Sequence, residues 1–153
     1  MEDHVKQAKL KALSLLTDMD RTEAQLRQKL KQKSYADDVV EQVMEYVKSF
    51  GYVNDTNYAK RFIESRKKTK SKHEITAMLS QKGICRDVIS ETIAECYNSE
   101  DAHETIRYLV EKKCGSIERC SDKDKKKVFD YLLRKGFTYE EIRQVIQVSF
   151  WNA

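Results

Sequence analysis

Three times along this chain the same short beat recurs: "QKSYADDVV" at 32–40, "QKGICRDVI" at 81–89 and "RKGFTYEEI" at 134–142. Aligning the copies on Tyr35, Ile84 and Phe137 places Leu26, Ile75 and Val128 nine residues upstream, and Leu30, Leu79 and Leu132 five upstream. Five and nine residues downstream stand Val40 and Met44, Ile89 and Ile93, then Ile142 and Ile146. Apolar residues four apart share one helical face, so each beat joins two amphipathic helices. Upstream of each pair a further helix is expected, with Leu13 and Leu16, Ala59 and Phe62, or Ile106 and Leu109 as its apolar stripe. The repeating unit is therefore three helices, offset by 49 and then 53 residues, and the fold class is all-α. The expected units are 1–51, 52–98 and 99–153. Each is too small to bury much apolar surface alone, so they form one continuous repeat array.

Capping chemistry supplies the helix starts. A short side chain with an oxygen acceptor satisfies a free backbone N–H of the first turn, and a Glu or Gln three residues on reaches back. Thr22 with Gln25, Ser71 with Glu74 and Thr138 with Glu141 fit this box. Asp124 stands at the matching place before Val128, and Asn54 or Asp55 is expected to cap the helix that follows. Gly83 and Gly136, two of only four glycines, fall where a helix ends and a left-handed residue is commonly required; the apolar residue after each folds back on that helix. Ser34 takes this place in the first copy, which implies a strained or differently shaped turn.

Composition narrows the function classes. Charged residues make up 35% of the chain, mean hydropathy is -0.73, and no run is long and apolar enough to span a bilayer, so a cytoplasmic protein without membrane association is expected. Cys85, Cys96, Cys114 and Cys120 contain no C-x-x-C pair, and His4, His73 and His103 have no ligand-like spacing; neither metal nor cofactor is expected, and the thiols read as reduced. No nucleophile, metalloprotease or phosphate-loop motif occurs. The acidic pairs Asp37–Asp38 and Glu140–Glu141 fall in first turns, where the helix dipole favours negative charge. A binding protein, not an enzyme, is the reading.

Charge supplies the candidate contact residues. In "RFIESRKKTKSK" at 61–72, Arg61, Arg66, Lys67, Lys68, Lys70 and Lys72 stand against the single acid Glu64. In "DKDKKK" at 122–127, Lys123, Lys125, Lys126 and Lys127 crowd the start of a helix, where the dipole disfavours cations. The first 50 residues hold nine basic and nine acidic groups, so the net charge of +4 lies in the later units. Such a distribution suits a polyanion or an acidic protein surface met on one side. The 66–72 cations lie past the apolar stripe and are expected to contribute little packing.

The stretches "RTEAQLRQKL" (21–30), "GYVNDTNYAKRFIESR" (51–66), "ITAMLSQKGICRDVI" (75–89) and "LLRKGFTYEEI" (132–142) resemble the successive signatures of the RecX regulatory proteins, in order and over nearly the whole chain. Thr22 and Asn54 replace the family's usual serine and aspartate while keeping the ability to cap, and Ser34 replaces a common glycine. The resemblance implies three tandem three-helix units in an elongated, curved array. It also implies a monomeric modulator that binds filaments of the RecA recombinase on single-stranded DNA and inhibits ATP hydrolysis, strand exchange and co-protease activity, within homologous recombination, DNA repair and the SOS response. The ten cations above are the candidate contacts to RecA or phosphate. Two other readings stay open: a duplex-binding regulator, since a turn before the last helix of each unit resembles a helix-turn-helix, and a repeat scaffold with no nucleic-acid role.

Overall fold

The computed structural model describes residues 2–146, and residues 147–153 of the expected third unit lie outside that range. In chain order the helices are α1 (Glu2–Asp18), α2 (Glu23–Gln32), α3 (Asp37–Ser49), α4 (Asp55–Arg66), α5 (Lys72–Gln81), α6 (Arg86–Cys96), α7 (Ser99–Cys114), α8 (Asp122–Lys135) and α9 (Tyr139–Val145), with a 3₁₀ turn at Ile117–Arg119 before α8. No strand occurs among the described residues. The helices form three tandem three-helix repeats, α1–α3, α4–α6 and α7–α9.

Helix starts follow the caps. Thr22 and Gln25 form a reciprocal box, as do Ser71 with Glu74 and Thr138 with Glu141. Asn54 caps α4 through its Oδ1, which accepts from the Asn57 N–H at 3.0 Å. Asp124 is not a cap: α8 begins at Asp122, and Ser121 accepts from the Asp124 N–H instead. A serine three residues earlier takes the first-turn N–H, and the helix gains most of a turn over its counterparts.

Each repeat's middle helix ends in the same way. The N–H groups of Tyr35, Ile84 and Phe137 donate to the carbonyls of Leu30, Leu79 and Leu132, closing the six-residue loop of a helix C-terminus with one left-handed residue. That residue is Ser34, Gly83 or Gly136, at φ of 68°, 86° and 106°. Ser34 therefore adopts the glycine conformation and carries its strain.

The contacts divide the chain into two compact units, and the division runs through the middle repeat. The first comprises residues up to Ala59 together with Leu79–Ile89. Its core joins Ala8 and Ala12 of α1, Leu26 and Leu30 of α2, and Val39, Val40, Val43, Met44 and Val47 of α3. α1 packs mainly against α3. The expected stripe Leu13 and Leu16 is only half-buried; α1 turns Ala8 and Ala12 inward, because small side chains let the two helices approach closely.

The second unit comprises Lys60–Met78 and the chain from Ser90 onward. Its core is built from Ile106, Leu109 and Val110 of α7, Val128, Phe129 and Leu132 of α8, and Phe137, Ile142 and Ile146 around α9. The division crosses α4: Ala59, in the first unit, is fully buried as expected, and in the second the fully buried residue is Ile63, one residue on from the expected Phe62, which is half-buried.

One joint occurs in both units. In the first, the buried Thr22 hydroxyl accepts from the Gln25 N–H at 3.1 Å and donates to the Lys82 carbonyl at 2.7 Å. In the second, Ser71 accepts from Glu74 at 3.1 Å and donates to the Lys135 carbonyl at 2.6 Å. The next residue along, Gly83 or Gly136, lies so close that a Cβ there would meet Cβ of Ala24 at 2.4 Å or Cβ of His73 at 2.5 Å. One hydroxyl thus serves its own helix and holds the turn glycine of the following repeat.

Candidate partner-binding surface

The first basic cluster straddles the end of α4 and the start of α5, and its members have unlike roles. Lys67 is structural. Its ammonium lies 3.2 Å from Glu64 and 3.5 Å from Asp101 and donates to the Cys96 carbonyl at 3.3 Å, with only 20% of the side chain exposed. Burial alone would lower its pKa, but the two carboxylates more than offset this and hold it above the ordinary lysine range. Its carbonyl accepts from the Thr105 hydroxyl, and the Lys70 carbonyl accepts from the Tyr97 hydroxyl at 2.8 Å. Tyr97 is almost fully enclosed, and burial pushes its pKa to about 12. This turn is therefore tied to α6 and α7 by buried polar bonds, contrary to the expectation that residues 66–72 add little packing.

The remaining members are more open. Lys70 is half-buried, with its ammonium 3.9 Å from Glu74, while Lys72 lies 5.7 Å from the Tyr97 ring centre. Arg66 is exposed with its guanidinium 5.2 Å from the Phe62 ring centre; Arg61 and Lys68 are also exposed. Beside the turn lies a cavity of about 440 Å³ bordered by Lys67, Lys68, Asp101 and Glu104, two cations against two acids.

The second cluster occupies the first half of α8. Lys123, Lys126 and Lys127 are exposed and Lys125 is half-buried. Asp122 and Asp124 in the same first turn oppose the unfavourable dipole interaction of these lysines. Only Lys127 of the four borders a cavity of about 600 Å³, which it shares with Lys113, Arg119 and Arg134. The two clusters thus border separate cavities. Charge-run inspection missed Lys113, Arg119 and Arg134, since they stand apart in sequence. Helical spacing was the available signal: Asp124, Lys127, Tyr131 and Arg134 recur at intervals of three and four along one face of α8.

Among the described residues no group of three or more His, Cys, Asp or Glu side chains is placed to hold a metal, and no helix is long and apolar enough to cross a membrane. All four cysteines are free thiols, and burial pushes Cys114 up to about 11. Asp55 accepts the Glu23 N–H at 2.9 Å, adding a cap to α2; burial nevertheless holds its carboxyl above the ordinary value.

Comparison with known proteins places this arrangement. Residues 8–46, 54–93 and 99–146 match the models of the first, second and third three-helix domains of RecX. Regulatory protein RecX of Clostridium acetobutylicum is 33% identical over 97% of this chain and 72% of the relative, and that of Clostridium perfringens strain 13 is 30% identical over 95% and 70%. The crystal structure of RecX from Lactobacillus salivarius superposes with a TM-score of 0.88 at 25% identity, covering 96% of this chain and 97% of that one. A second crystal structure, of regulatory protein RecX, has the same fold at 23% identity with a TM-score of 0.81. With all three repeats matched in order and relatives aligned over nearly its full length, the chain belongs to the RecX family of regulatory proteins.

Proposed function

We propose that this chain is a non-catalytic cytoplasmic regulator that binds RecA filaments on single-stranded DNA and lowers their ATP hydrolysis, strand exchange and co-protease activity. The observation that carries the reading is the family match across 97% of the chain to a relative named as a regulatory protein. The geometry supports binding over chemistry: the buried polar groups described above are engaged in caps, joints and ion pairs. Arg61, Arg66, Lys68, Lys70, Lys72, Lys123, Lys125, Lys126 and Lys127 remain the proposed contacts; Lys67 is withdrawn from that set because its charge is used within the fold.

The helix-turn-helix alternative is disfavoured by the surface of the third helices. The exposed face of α3 carries Asp37, Asp38, Glu41 and Glu45, and that of α6 carries Asp87, Glu91 and Glu95. Carboxylates in those positions repel duplex phosphates. The reading is tested by measuring association of the labelled chain with RecA filaments on oligothymidine, with a non-hydrolysable ATP analogue, against RecA alone and duplex alone. Retention on the filament and weak binding to duplex are expected. Preference for duplex would favour the alternative.

A further inference from the structure

α7 ends at Cys114, and Cys120 directly precedes Ser121, the cap of α8. Between the two cysteines the chain turns back on itself: Gly115 takes a φ of 73°, and Ile117–Arg119 form the 3₁₀ turn. The Cys120 thiol thereby returns to the end of α7, where it donates to the Cys114 carbonyl at 3.7 Å, and the two sulfurs lie within hydrogen-bonding reach of one another. Both thiols border the open basin of about 600 Å³, so a small solute can reach them. The other two cysteines stand on either side of α6, Cys85 just before it and Cys96 at its end, and neither contacts another thiol among the described residues. Only Cys114 and Cys120 are therefore placed as a pair.

We propose that Cys114 and Cys120 form a dithiol site that takes a low-molecular-weight disulfide as its oxidant and closes to an intramolecular disulfide. Burial, reinforced by the neighbouring thiol, holds the Cys114 proton on, so Cys120 begins the exchange. Its sulfur attacks one sulfur of the small disulfide; a mixed disulfide forms, the small S–S bond breaks, and the Cys120 proton passes to the departing thiolate. The Cys114 sulfur then attacks the Cys120 sulfur. The protein disulfide forms, the mixed bond breaks, and a second small thiol leaves with the Cys114 proton. The protein thiols lose two electrons and the small disulfide gains them. The new bond ties the last residue of α7 to the residue before the α8 cap and fixes the turn between them. In a reducing compartment such a bond is transient, since excess small thiol reverses each step. The site stands apart from the filament reading and is tested without RecA.

The experiment equilibrates the full chain with mixtures of reduced and oxidised glutathione near neutral pH under argon, quenches with acid, alkylates the remaining thiols and digests with trypsin. Cleavage after Lys113, Arg119 and Lys123 leaves residues 114–119 and 120–123 as separate peptides, so a closed site is read as that pair joined by a disulfide. Closure is expected at glutathione ratios where Cys85 and Cys96 are recovered alkylated or as glutathione adducts. It is expected to be favoured in the folded chain over the chain in guanidinium by about tenfold or more, because the fold holds the sulfurs together. By linkage, that ratio is the factor by which the bond stabilises the fold, so the oxidised chain is expected to melt higher. Cys114→Ser is expected to lose this rise and to leave a glutathione adduct on Cys120, while Cys85→Ser combined with Cys96→Ser leaves closure within about twofold. Circular dichroism verifies that the variants fold. Closure no greater in the folded chain than in guanidinium, a glutathione adduct that persists on Cys120 of the parent chain without closure, or preferential joining of either thiol to Cys85 or Cys96 would each overturn the proposal.

Discussion

At Gly83 two constraints coincide, a φ of 86° and a neighbour 2.4 Å from where a Cβ would lie. The obstacle is the Cβ of Ala24, which has no rotamer by which to yield. Gly83→Ala is therefore expected to destabilise by more than about 1 kcal/mol, the cost of a left-handed non-glycine residue, with the clash in addition. Ser34 shares the conformation but is exposed and already accommodates its Cβ, so Ser34→Gly is expected to stabilise by about 0.5 kcal/mol, strain relief offset in part by chain entropy. Urea melting of the two variants checks both signs. A stabilised Gly83→Ala protein would contradict the assigned turn. The glycine positions were legible in the sequence as helix ends. The second reason for them, the neighbour's Thr22 or Ser71 joint, was not, because it depends on contacts 60 and 64 residues apart. Asp55 offers a pH test. With its folded pKa raised by burial, the protonated form is favoured in the fold, so its contribution is greatest below the unfolded carboxylate range and declines as pH rises through the folded value. Asp55→Asn keeps an acceptor for the Glu23 N–H without that charge, and its melting temperature relative to the parent is expected to rise from acid to neutral pH.

The helices differ in how openly they declare their buried face. The second and third helices of each repeat carry branched residues inward, and Leu26, Leu30, Ile75, Leu79, Val128, Leu132, Ile89 and Ile142 are all buried as their spacing predicts. α1 misleads, since its large apolar residues are not its buried ones: Leu10 is 61% exposed while Ala8 and Ala12 are fully enclosed. Close approach to α3 selects for small volume, which a hydrophobicity pattern does not register. Ala12→Leu is accordingly expected to destabilise by about 1–3 kcal/mol through overpacking. Leu79→Ala, which empties a fully buried site, is expected to cost about 2–5 kcal/mol. Thermal melting distinguishes these from surface substitutions, and a neutral Ala12→Leu would show that α1 and α3 are not in close contact. The basic turn after α4 shows the converse failure. A run of cations reads as a solvated loop, yet Lys67 pairs with Asp101 on α7, a partner supplied only by the tertiary fold.

For the molecule as a whole, three repeats are visible in sequence, while its contacts form two compact units with the middle repeat shared between them. The repeat count follows from local periodicity. The sharing does not, because Leu79–Ile89 joins the first unit through the Thr22 joint and Lys60–Met78 joins the second through the Ser71 joint. On the proposed function the chain acts by occupying surface on RecA filaments, so its effect is expected to be stoichiometric and to require no turnover. Titrating the chain against the single-strand-dependent ATPase of RecA tests this most directly. Progressive inhibition that saturates with filament occupancy and is weakened by added salt is expected. An ATPase rate unchanged by the chain at concentrations where it is shown to be folded would contradict it.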